Sequence, residues 1–148
     1  MREILFRAKR IDSGEWVEGY LFDDGFLEHE RYFVGRIVVE PYIGTADDDW
    51  DITGIDFCEI DPETLCQYTG KTDEDGKKIF EGDIVGFIDL YSTESGYSEI
   101  SCLGEIIWSK EECCFHVTNR LSAESWEVLD ECKVVGNVFD NKELLDEL

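Results

Sequence analysis

The sequence predicts a mostly β protein with minor α: an N-terminal β-hairpin region, then a small bent barrel, then a short C-terminal helix. Three observations carry this. Many apolar stretches alternate with period two, the pattern of half-buried strands. Thirteen glycines punctuate 148 residues while prolines occur only at Pro41 and Pro62, which suits short strands closed by turns. Hydrophobic content of 43% and aromatic content of 13% are too high for a disordered acidic chain. A chain of this length can bury roughly 70% of its unfolded surface, enough for an independent core.

Along the chain, Glu3 to Lys9 alternates, with Ile4, Phe6 and Ala8 opposed to Leu5 and Arg7. Asp12-Ser-Gly14 supplies turn chemistry, and Trp16 to Phe22 resumes as a strand, so the first 22 residues read as a hairpin. Gly19 inside that strand signals a bulge or a close backbone approach. Asp23-Asp-Gly25 makes the next turn. Phe26 to Tyr42 holds one or two strands, clearest at Arg36 to Glu40, and Gly44 to Asp51 reads as an acidic loop around Trp50 before a strand from Ile52 to Ile60. Asp61-Pro-Glu63 is a helix start, with Asp at the N-cap, Pro first and Glu in the opening turn. That helix lasts about one turn before Tyr68-Thr-Gly70.

Asp73-Glu-Asp-Gly76 reads as a reversal that places Gly76 at positive φ, followed by a strand from about Lys77. Ile84 to Leu90 continues the sheet, and Tyr91 to Ser98 reads as an exposed loop. Ser101 to Ser109 and Cys113 to Thr118 are two further strands, Leu121 to Asp130 is strand or loop, and Lys133 to Val138 is the last strand. Asn141 to Leu148 reads as a short helix through Leu144, Leu145 and Leu148. The division expected is 1–60 as an N-terminal β region and 61–148 as a β-barrel region, SH3-like in size, or one continuous domain.

Thirty-six acids against thirteen bases give a net charge of −23. Residues 37–70 hold nine acids and no lysine or arginine. Such a surface repels phosphates, so direct nucleic-acid binding is not expected, whereas a basic protein is attracted. Solubility alone also accounts for the charge. The densest run, Asp47-Asp48-Asp49-Trp50-Asp51, is the candidate partner-binding segment, with Trp50 as its anchor; a solvated loop is the plainer reading.

Catalytic residues are expected to be none, metal ligands none and cofactors none. Asp73-x-Asp75-Gly76 suggests a calcium loop, but with Gly76 sixth, Lys71 stands first and Gly82 twelfth, where oxygen ligands are needed. Glu81-Gly-Asp83 has no partnering base and reads as solvated acids. His29 and His116 stand apart from any cysteine pair, and His116 reads as structural. No phosphate loop or nucleophile elbow is present. The start Met1-Arg-Glu-Ile-Leu-Phe-Arg7 is not a signal sequence, so Cys58, Cys66, Cys102, Cys113, Cys114 and Cys132 read as buried, reduced thiols of a cytoplasmic protein. No apolar run reaches the ~20 residues of a membrane span.

Three segments resemble the YopX-like proteins carried by phages and prophages. They are Arg2 to Lys9 with Gly14-Glu-Trp-Val-Glu-Gly-Tyr20, then Asp61 to Gly70 with Asp75 to Ile84, then Val134 to Asn141 with Glu143-Leu-Leu145. The resemblance implies a phage or prophage accessory protein acting in the bacterial cytoplasm and brings no catalytic residue with it. Two functional classes stay open. One is a non-enzymatic acidic protein that binds a host protein. The other is a small-ligand (nucleotide-like) binder or hydrolase with a pocket between β segments or across a homo-oligomer interface. A contiguous acidic patch would favour the first, and a concave pocket converging polar groups the second.

Overall fold

The computed structural model describes residues 1–25, 30–41, 50–119, 124–128 and 130–147. The fold is mostly β, as the period-two pattern predicts. The chain divides into two units, one formed by Ile4–Cys66 and the other by Met1–Glu3 with Gln67–Leu148.

In the first unit, β1 (Phe6–Lys9), β2 (Trp16–Asp23), β3 (Tyr32–Pro41) and β4 (Trp50–Glu59) form an antiparallel meander in chain order. The opening hairpin runs from Phe6↔Gly19 to Lys9↔Trp16. Its turn is built locally: Gly14 lies at φ 70° and donates to the Arg10 carbonyl at 2.9 Å, while Arg10 clamps Asp12 through two hydrogen bonds. Gly19 marks a close approach, because a Cβ there would lie 2.4 Å from the Gly35 carbonyl oxygen. Ala8, Val34 and Ile60 form the core, with Val17, Leu21 and Leu65 packed on it. Asp61 caps a 3-10 turn, Pro62–Thr64, by accepting from the Glu63 amide at 3.0 Å. Thr64 then locks that turn to β1, its hydroxyl accepting from the Lys9 amide at 2.8 Å and donating to the Asp61 carbonyl. The helical turn ends before Tyr68-Thr-Gly70, as predicted, and β5 (Cys66–Thr72) runs through those residues.

In the second unit β5 pairs with β6 (Lys78–Phe80). Asp73 organises the reversal between them, its carboxylate accepting from the amides of Asp75, Lys77 and Val134 at 2.9–3.0 Å. Gly76 sits at φ 80°, as predicted. The second sheet has the order β10 (Glu124–Glu127), β9 (Cys114–Asn119), β8 (Gly96–Ser109), β7 (Asp83–Thr93), β11 (Lys133–Asn137). Its core is Ile79, Val85, Ile106, Val117, Val128 and Cys132. Burying each aliphatic side chain of that size contributes about 1.5–3 kcal/mol.

The structure departs from the sequence expectations at three places. Tyr91 to Ser98 is no loop: β7 and β8 stay paired as far as Thr93↔Gly96. Thr and Tyr favour strands, and the Thr93 hydroxyl closes the tip by donating to the Gly96 carbonyl at 2.9 Å. The C-terminal helix is a 3-10 segment, Lys142–Glu147, with Leu144 donating to the carbonyl three residues back and no basic residue in its last turn to favour an α-helix. Asp83 is buried rather than solvated, and its carboxylate accepts from the Phe80 amide at 2.8 Å.

Candidate functional site

The turn between β8 and β9 makes the most chemically diverse group of side chains among the described residues. Lys110 to Cys113 closes the hairpin beyond the Ser109↔Cys114 pair. Ser109 Oγ accepts from the Glu112 amide at 3.3 Å, and Cys113 takes φ 55°, the left-handed region that a side chain makes costly. This brings Glu112 back over β9. Cys114 and His116 stand two residues apart on the strand and therefore share a face.

The geometry converges on the His116 ring. Its Nε2 lies 3.1 Å from Cys114 Sγ and in contact with the Glu112 carboxylate, while its Nδ1 lies 2.9 Å from Ser125 Oγ on β10. The His116 side chain is 15% exposed and that of Glu112 is 62% exposed, so the cluster sits at the lip of a cleft. The cleft measures about 410 Å³ and is lined also by Arg2, Thr69, Lys71, Trp108 and Glu127. Glu112, Cys114 and His116 form the one set of three side chains among the described residues whose donor atoms could hold a metal, all lying within 4.8 Å of one another.

Sequence reasoning passed over this set because it looked for cysteine pairs. The signal present was Glu-x-Cys-x-His across a turn and a strand start. The expectation of buried thiols holds for Cys66 and Cys132, but Cys113 and Cys114 are exposed. Burial raises the Cys58 and Cys132 thiols above their ordinary range, which leaves them poor ligands. Of the candidate partner-binding residues, Asp47, Asp48 and Asp49 lie outside the described residues. Trp50 and Asp51 open β4, and nothing is described of their side chains. His29 also lies outside.

A second feature is apolar. Beyond Gly86 on β7 and Glu105 on β8, where β11 and β9 stop pairing, the β7–β8 ladder continues from Phe87↔Cys102 to Thr93↔Gly96. No third strand joins it among the described residues. At its base Phe87 packs on Trp126, whose indole N–H donates to Asp89 at 3.2 Å. Further out Ile88, Leu90, Tyr91, Tyr97 and Ile100 are exposed, Tyr97 at 81%.

A model of the YopX protein family matches residues 5–146. The chain belongs to the YopX family. Its similarity to a solved structure covers the whole fold: protein EF1440 from Enterococcus faecalis is 22% identical over 98% of this chain and 99% of that one, with a TM-score of 0.50. At that identity the likeness speaks for fold alone. No curated protein sequence matches the chain. The segments that resembled the YopX proteins turn out to be structural. Asp61-Pro-Glu-Thr64 is the capped turn locked to β1, and Gly76 takes the left-handed conformation of its turn. Asn137 and Asn141 cap the chain after β11, Asn137 accepting from Phe139 and Asp140 and Asn141 accepting from the Asn137 amide. No helix among the described residues is long and apolar enough to cross a membrane.

Proposed function

We propose that this YopX-family chain is a non-enzymatic docking protein, encoded by a phage or prophage, that binds a basic surface of a host protein in the bacterial cytoplasm. The observation that carries the reading is the β7–β8 arm with its exposed Ile88, Leu90, Tyr91, Tyr97 and Ile100. Ile88, Leu90 and Tyr97 share one face of the ribbon, and Tyr91 and Ile100 the other. Monomers seldom expose so many large apolar side chains together unless something covers them, and a two-stranded ribbon is marginal by itself. A second copy is a poor cover, because a net charge of −23 makes self-association repulsive. Between Lys78 and Lys110 the chain has acids but no base, so the arm favours a basic partner. In the same reading the sheet of the second unit is an SH3-like scaffold for the arm, and Asp47 to Asp51 add acidic contacts around Trp50.

The test compares the parent with Leu90→Ser/Tyr97→Ser as baits in bacterial lysate, with mass spectrometry of what is retained and salt titration of the isolated pair. The parent is expected to retain a basic protein that dissociates as salt rises, and the double variant to lose it while melting within ~1 kcal/mol of the parent, since both side chains are exposed. A partner held equally by both proteins would move the interface off the arm. A small-ligand reading is favoured by one observation, the cleft beside His116 that converges Arg2, Lys71 and Glu112.

A further inference from the structure

We propose that Glu112, Cys114 and His116 bind one Zn²⁺ ion, with the fourth coordination position open to the adjoining cleft. The donor set is one thiolate, one imidazole and one carboxylate, which suits a borderline-soft, four-coordinate ion and excludes calcium and magnesium sites. Around tetrahedral zinc such donors stand about 3.3–3.7 Å apart, given metal–ligand lengths of about 2.0–2.3 Å. The Cys114 Sγ to His116 Nε2 separation is already 3.1 Å, and the three donor atoms all lie within 4.8 Å of one another. Seating the ion needs the Glu112 carboxylate to draw back from the imidazole and Cys114 Sγ to shift slightly, which the exposure of both side chains permits.

Two observations outside the three ligands support this. Ser125 Oγ stands 2.9 Å from His116 Nδ1, where it would accept the Nδ1–H and leave Nε2 free as a ligand. That is the partner that metal-binding imidazoles ordinarily have. Cys113 is the only non-glycine residue at positive φ among those described, and it is the residue between Glu112 and Cys114. A left-handed conformation forced on a side chain is retained where the surroundings require it, and functional sites are where such strain collects. Here it turns Glu112 onto the face shared by Cys114 and His116. Three protein ligands leave one position for water or an anion, and Arg2 and Lys71 line the same cleft.

The test uses the full chain, stripped with a chelator under reducing conditions and titrated with Co²⁺ and then Zn²⁺. One Co²⁺ per chain is expected, with tetrahedral d–d bands and a thiolate-to-cobalt charge-transfer band, and Zn²⁺ should displace it. Cys114→Ser should abolish the charge-transfer band, Cys114→Ser and His116→Gln should each weaken Zn²⁺ by ~100-fold or more, and Ser125→Ala by about 10- to 100-fold. Cys113→Gly should bind as the parent does and melt higher, because glycine removes the left-handed penalty. Circular dichroism of each variant keeps loss of metal distinct from loss of fold. An octahedral spectrum without charge transfer, or undiminished Zn²⁺ affinity in folded Cys114→Ser, would show cations gathering on the acidic surface and overturn the site. Loss of binding in Cys113→Ser alone would overturn the ligand assignment.

Discussion

Asp73 is 5% exposed, and its carboxylate gathers three backbone amides from two segments of chain. The hydrogen bonds from Val134, Lys77 and Asp75 outweigh burial and hold its pKa below the usual carboxylate value. A folded-state value depressed below the unfolded ~3.9 means the stabilisation is complete above that pH and is lost as pH falls through the lowered value. Asp73→Asn is therefore expected to cost about 2 kcal/mol or more in urea unfolding at pH 7, since hydrogen bonds to a charged acceptor are strong and the amide group turns a donor toward one of these N–H groups. The gap from the parent should narrow as pH drops below ~4. An equal cost at both pH values would mean that side-chain shape, not charge, holds the turn. Glu81 runs the other way: burial raises its carboxyl, nearby Glu105 adds to this, and the Gln67 backbone opposes it. Its charged form weighs against folding near neutrality.

The elements legible in the sequence are those set by short-range chemistry. Asp12-Ser-Gly14, Asp61-Pro-Glu63 and Asp73 to Gly76 each name their own turn or cap, and each is found. The arm was illegible because Ser92-Thr-Glu-Ser-Gly96 has the composition of a loop, and only its partner strand makes it a ribbon. The Glu112–Cys114–His116 group was illegible for a related reason: a left-handed Cys113 is not a residue that turn rules anticipate. Gly19 lies between these cases, because sequence offers a bulge or a close approach and only the neighbouring Gly35 decides. Gly19→Ala should cost about 1–3 kcal/mol, as its Cβ would meet a backbone oxygen that cannot swing aside. Gly86→Ala is the control, its nearest neighbour being Leu103 Cδ2 at 3.6 Å, an ordinary contact. It should be neutral or stabilising by up to ~1 kcal/mol through the unfolded chain. Equal costs at the two positions would remove close approach as the reason for Gly19.

Over the whole molecule charge is the quantity that sequence states most plainly, and its consequence concerns stability as well as partners. Described ion pairs such as Arg10–Asp12, Arg31–Glu59, Lys71–Asp130 and Lys133–Asp75 are exposed and screened by water, so each adds little to stability. Thirteen bases cannot compensate thirty-six acids, whatever the pairing. Repulsion among the surplus carboxylates therefore exceeds attraction, and it acts over the ~30 Å screening length of 0.01 M salt but only ~10 Å at 0.1 M. Raising NaCl across that range should raise the Tm of the free protein, even though the same salt weakens its surface ion pairs. The complex with a basic partner should respond in the opposite sense, losing affinity over the same range as its attraction is screened. Measuring both on one preparation separates the two roles of the acidity. If Tm rises while affinity for the captured partner stays constant, the charge serves solubility and the arm binds through its apolar side chains alone. If Tm is flat or falls, the surplus acids are too far apart to repel, and the dense acidic surface inferred from residues 37–70 is not formed.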